Sequence, residues 1–121
     1  MQRYKGRIFT GIGVAKTRVG QNIDVYRQVT RMEIVPGTLN VRLTDNFKLP
    51  EDSIHIPPEM IQPFEKKRGI TLVFAQLHSS TVVIMVPDPP FYDANVIEVM
   101  APFNIRQQFN LEDGDEIEIV V

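Results

Sequence analysis

Cysteine is absent from this 121-residue chain, which excludes disulfides, thiolate metal sites and a cysteine nucleophile and leaves no mark of an oxidising compartment. Histidine is nearly as scarce: His55 lies in a proline-rich loop, His78 in a His78-Ser79-Ser80 turn, and neither has the other at metal-ligand spacing. Both read as surface residues. Neither sign of charge is in excess, since 13 basic against 15 acidic residues leave a net charge of -2. Nothing electrostatic therefore calls for nucleic acid or an anionic membrane as partner, and any phosphate ligand must be held by local groups. No uninterrupted apolar run is long enough to span a bilayer, and the start Met1-Gln2-Arg3-Tyr4-Lys5-Gly6 lacks the apolar core of a signal peptide. A cytoplasmic protein without a membrane partner is the expectation, and a monomer is compatible with the sequence. Repeats and low-complexity segments are missing too, although Pro87-Asp88-Pro89-Pro90 marks an exposed loop.

What remains is the composition of one globular domain, residues 1–121, with 43% hydrophobic residues, enough for a core of its own. Its organising stretch is Pro36-Gly37-Thr38-Leu39-Asn40-Val41-Arg42-Leu43. Pro-Gly presets a tight turn, and the residues after it alternate at the two-residue period of a strand. Leu39, Val41 and Leu43 should face a core, with Thr38, Asn40 and Arg42 on the opposite face. Thr38 and Asn40 thus offer two neutral oxygens of the kind magnesium accepts alongside substrate phosphates. The alternative is a half-buried strand whose polar face is simply solvated.

Ahead of that stretch, a strand from Tyr4 to Thr10 runs into Gly11-Ile12-Gly13. Two glycines at this spacing let backbone amides approach a phosphate, although the pattern is neither a P-loop nor a dinucleotide fingerprint, and a bend between barrel strands fits as well. Lys16 and Arg18 follow as loop cations that either meet phosphates or are solvated. Between Gln21 and Met32, Ile23, Tyr26, Val29 and Met32 recur every third position, which predicts one short amphipathic helix capped by Asn22. Thr44 to Gly69 reads as a long loop with at most a short strand near Ile54, because Pro50, Pro57, Pro58 and Pro63 interrupt it.

Ile70 to Leu77 and Thr81 to Val86 are strand candidates, the first with Ile70, Leu72 and Phe74 on one face, the second apolar enough to be covered on both sides. A further strand, Val96 to Met100, contains Glu98 among apolar neighbours. That carboxylate either reaches water at a barrel mouth or accepts hydrogen bonds from a bound polar ligand. Pro102 to Phe109 predicts a short helix, where Asn104 and Arg106 either serve a nucleotide or, for Asn104, cap the helix. Leu111 to Asp115 is a turn before a last strand containing Ile117, Ile119 and Val121. About six short strands, long loops and two small helices predict a mainly β protein, a closed or nearly closed barrel.

Three segments in this order resemble the archaeal CTP-dependent riboflavin kinases, whose fold is a six-stranded cradle-loop (RIFT-like) β-barrel. They are Gly11-Ile12-Gly13, Pro36 to Leu43, and Ile97-Glu98-Val99-Met100-Ala101-Pro102-Phe103-Asn104-Ile105-Arg106. The resemblance implies that Thr38 and Asn40 bind Mg2+ and that Gly11, Ile12, Gly13, Val14, Ala15 and Lys16 wrap the cytidine nucleotide. It further implies that Phe103, Asn104, Ile105 and Arg106 complete the nucleotide site and that Glu98 contacts the flavin, as the candidate catalytic group that orients the attacking hydroxyl or accepts its proton. The implied reaction takes the terminal phosphate of CTP to riboflavin, giving FMN and CDP, and needs placement and charge neutralisation more than a nucleophile. The chain departs from the family pattern at Val14-Ala15, where Glu-Gly is usual, and at Pro90, where a threonine is common. Those departures leave a second reading, a nucleotide- or flavin-binding barrel that transfers no phosphate or acts on another alcohol.

Overall fold

Alternating side chains build the molecule strand by strand in the computed structural model, which describes residues 2–121. Strand β1 (Arg3–Phe9) turns Tyr4, Gly6 and Ile8 inward and leaves Arg3, Lys5 and Arg7 outside. Helices α1 (Ala15–Gln21) and α2 (Ile23–Thr30) follow, then β2 (Leu39–Leu43) and the short β3 (Ile54–Ile56). The chain continues through β4 (Gly69–Leu77), β5 (Ser80–Asp88), β6 (Val96–Met100), α3 (Ile105–Phe109) and β7 (Glu116–Val120). All pairings are antiparallel in the order β4-β5-β6-β2-β1-β7, and Gln76 of β4 meets Val120 of β7 to close a six-stranded barrel. β3 adds to the other half of the same β4 edge, with Ile54 opposite Leu72 and Ile56 opposite Ile70. Closure leaves the ring without an exposed edge for another chain to extend.

The barrel wall separates two apolar clusters. Ile8, Leu39, Val41, Val82, Ile84, Ile97, Val99 and Ile119 fill the interior. Val19 and Tyr26 pack against Leu72, Val83, Met85 and Met100 on the outside. β5 therefore sends Val82 and Ile84 in and Val83 and Met85 out, and both faces are covered, which is why this strand is apolar throughout. On β4 the outer cover ends before Phe74, which stays 44% exposed while Ile70 and Leu72 are buried.

The helical region differs from the pattern-based expectation. The amphipathic helix exists, as Ile23–Thr30, and ends at Arg31 in the left-handed region at φ 57°. Asn22, however, makes no capping bond. Its Nδ2 donates to the carbonyls of Arg18 (2.9 Å) and Gln62 (3.0 Å), and its Oδ1 accepts from Gln62 N–H (2.7 Å). It pins the junction of the two helices to the loop ahead of β4. α1 itself carries almost no periodic signal, because Val19 is its buried residue, so Lys16 and Arg18 sit on a helix rather than in a loop.

Candidate active site

Leu39, Val41, Ile97 and Val99 point into the barrel, so the strand period places Asn40 and Glu98 on the outer face, directly opposite each other across β2 and β6. Both are buried there, Asn40 at 9% and Glu98 at 6% exposure, which removes the reading of a carboxylate at a watery barrel mouth and of a solvated Asn40 face. Thr38, immediately before β2, donates its hydroxyl to Glu98 Oε1 at 3.2 Å. Asn40 Oδ1 and Glu98 Oε2 have no hydrogen-bond partner. Leaving such an atom unpaired costs on the order of 1–3 kcal/mol, so the site holds acceptors suited to a cation or to a donor from a ligand. Burial pushes the Glu98 carboxyl above its ordinary range, while the Thr38 hydrogen bond works in the opposite direction.

The glycine loop closes over this pair. A side chain at Gly11 would collide with the Asn40 carboxamide and lie 2.6 Å from the Tyr92 hydroxyl oxygen. Ile12 N–H donates to that same oxygen at 3.3 Å, and Tyr92 stands edge-on to Phe9 with ring centres 5.7 Å apart. Gly13 holds φ at 87°, a conformation that favours glycine. Ile12, Gly13, Val14 and Ala15, together with Arg18, Met85, Phe91 and Tyr92, enclose Asn40 and Glu98 around a cavity of about 30 Å3. That is room for about two water molecules, so a larger ligand must displace part of this lining.

A second cavity, about 320 Å3, opens at the adjoining end of the barrel and is lined by Lys16, Gly37, Thr38, Phe103, Asn104, Ile105 and Arg106. Asn104 Oδ1 caps α3 by accepting from Gln107 N–H at 3.0 Å, which leaves its NH2 group uncommitted. Arg106 is held by Asp113 at 2.7 Å and reaches the Phe9 carbonyl at 3.4 Å. Thr10 donates to the other Asp113 oxygen at 2.6 Å, and these contacts, Thr10 first and Arg106 next, hold the Asp113 carboxyl below its usual range. Thr38 belongs to both places, lining the larger cavity while bonding to Glu98 in the smaller.

The residues singled out from sequence therefore divide. Lys16 and Phe103 to Arg106 meet at the larger cavity, Ile12 to Ala15 meet Asn40 and Glu98 at the smaller, and Gly11 contributes by the side chain it lacks. Tyr92, Met85 and Phe91 were not singled out as site residues. The loop after Pro87 was the signal available for the two aromatics, and Met85 carried none. Among the described residues no group of three His, Cys, Asp or Glu side chains is placed to hold a metal. The unpaired Asn40 oxygen and the Thr38 hydroxyl nevertheless suit a hard divalent cation that takes its remaining ligands from phosphate and water.

A family model described as "Domain of unknown function DUF120", labelled CTP-dep_RFKase, matches residues 8–121. The chain belongs to the CTP-dependent riboflavin kinase family. It is similar to a riboflavin kinase of Methanocella arvoryzae, 30% identical over 129 residues that cover 97% of this chain and 56% of that protein. One from Saccharolobus solfataricus is 27% identical, covering 97% of this chain and 72% of the relative. One from Staphylothermus marinus is 26% identical, with 98% and 91% covered. The chain thus spans little more than half the length of the Methanocella protein and nearly all of the Staphylothermus one.

Proposed function

We propose that this protein is a riboflavin kinase that transfers the terminal phosphoryl group of CTP to the primary ribityl hydroxyl of riboflavin, giving FMN and CDP. The observation that carries this reading is the Thr38–Glu98 hydrogen bond, which joins a nucleotide-sized cavity to a pocket holding two unpaired buried oxygens. Lys16, Asn104 and Arg106 line the larger cavity and supply cations and amide donors for the nucleotide. Glu98 Oε2 is free to take a hydrogen bond from the acceptor hydroxyl and then its proton, and burial makes this carboxylate a better base than an exposed one. Thr38 orients that carboxylate; because its proton goes to Glu98, its own lone pairs remain for a cation. Thr38 and Asn40 would hold Mg2+, which when bound neutralises charge on the phosphates. No helix among the described residues is long and apolar enough to cross a membrane.

The specific observation favouring a second reading is the altered loop chemistry at Val14-Ala15, which line the smaller pocket, and at Pro90, which directly precedes the lining residues Phe91 and Tyr92. Incubating the protein with Mg2+, riboflavin and either CTP or ATP separates the two. FMN formed from CTP in preference to ATP is the expected result. Equal use of ATP would remove the CTP assignment, and nucleotide binding with no FMN would leave a binding barrel.

A further inference from the structure

Lys16 and Arg18 stand two positions apart on α1, a spacing that turns their side chains about 200° from each other. The two cations accordingly serve different cavities. Lys16 lines the one shared with Thr38 and Arg106, whereas Arg18 lines the one shared with Asn40 and Glu98. Arg18 is half-buried and forms no ion pair among the described residues. Glu98, in the same cavity, keeps Oε2 unpaired. Arg18 and Glu98 thus line one small cavity without bonding to each other, and both are left for a third group. Two contacts steady this part of the helix: Asn22 Nδ2 on the Arg18 carbonyl and the Arg18 N–H on the Val14 carbonyl at 3.0 Å.

We propose that Arg18 is the residue that receives the transferred phosphoryl group on the acceptor side and binds the phosphate of FMN. This rests on the riboflavin kinase reading. In that reaction the ribityl oxygen forms a bond to the terminal phosphorus of CTP as the bond from that phosphorus to the bridging oxygen breaks. The electron pair of the broken bond leaves with CDP, and the hydroxyl proton passes to Glu98. Negative charge then arrives in the pocket that Arg18 and Asn40 line, where a planar guanidinium offers paired donors to phosphate oxygens. Riboflavin has no such charge, so Arg18 distinguishes the product from the substrate.

The test is flavin fluorescence titration of the wild type, Arg18→Gln and Arg18→Lys with riboflavin and with FMN, which reads binding without turnover. Arg18→Gln should weaken FMN about tenfold or more and leave riboflavin within about twofold, with Arg18→Lys between. Because the result is a ratio of two affinities on one protein, partial loss of folded material does not produce it, and Arg18→Lys supplies the comparison should Arg18→Gln not fold. Affinities for both flavins that fall together, or that do not change, would overturn the role of Arg18. A wild type that binds neither flavin would remove the kinase reading itself, and this assignment with it.

Discussion

The Thr38 hydroxyl reaches 3.2 Å to Glu98 Oε1, linking the residue ahead of β2 to the middle of the neighbouring strand β6. This bond opposes the effect of burial on Glu98. Thr38→Val keeps the shape and removes the donor, so the Glu98 carboxyl rises further. FMN formation should fall about tenfold or more, and the acidic limb of the pH profile of kcat/KM should move to higher pH. An unmoved limb would show that Glu98 does not titrate in the reaction.

Glu98 also makes stability depend on pH, with a sign opposite to that of a salt-bridged carboxylate. Its folded-state carboxyl is raised above its ordinary value of 4.5, so between the unfolded and folded values the native state holds more protons than the unfolded chain. Stability contributed by this group is present below pH 4.5 and is lost as pH rises through the folded value. Glu98→Gln, which cannot ionise, should raise Tm at neutral pH relative to the wild type, with the gap shrinking on acidification. Thermal melts across that pH range check it.

Two glycines of the same loop should respond differently to alanine. At Gly11 the added methyl group meets Asn40 and Tyr92, so about 1–3 kcal/mol of stability is lost and the Mg2+ concentration needed for half-maximal turnover rises. At Gly13 nothing lies within 4 Å, and the cost is conformational, about 1–2 kcal/mol at a φ of 87°. Gly13→Ala should therefore lower Tm without changing the Mg2+ dependence.

Asn22 is buried at 3% exposure, and its side chain makes three hydrogen bonds that tie α1 to the segment before β4. Asn22→Ala strands the partners on Gln62 and should cost about 2–4 kcal/mol in chemical denaturation. A loss below about 0.5 kcal/mol, the size expected for an ordinary surface substitution, would mean the junction is held by packing instead.

Much of the barrel was legible because strand periodicity is local. Leu39, Val41 and Leu43 took the inward positions their alternation predicted, and Tyr4 with Ile8 and Ile117 with Ile119 each share the inward face of their own strand. Helix α2 was legible for the same reason, whereas α1 was not, since a seven-residue helix with one buried side chain leaves no stripe to read. Asn22 had the composition of a cap and became a tether because Gln62, 40 residues away, supplied better partners.

At the site, sequence alone determined that Thr38, Asn40 and Glu98 carry oxygen where apolar neighbours surround them, and that Asn40 and Glu98 lie on the faces opposite Leu39, Val41 and Val99. The tertiary structure decided that those faces are covered, by the glycine loop, the start of α1 and Tyr92, and that Arg18 joins them there. The reason is physical: a two-residue repeat dictates which way a side chain points, but whether that direction ends in water or in a desolvated pocket depends on segments far along the chain, brought there by barrel closure.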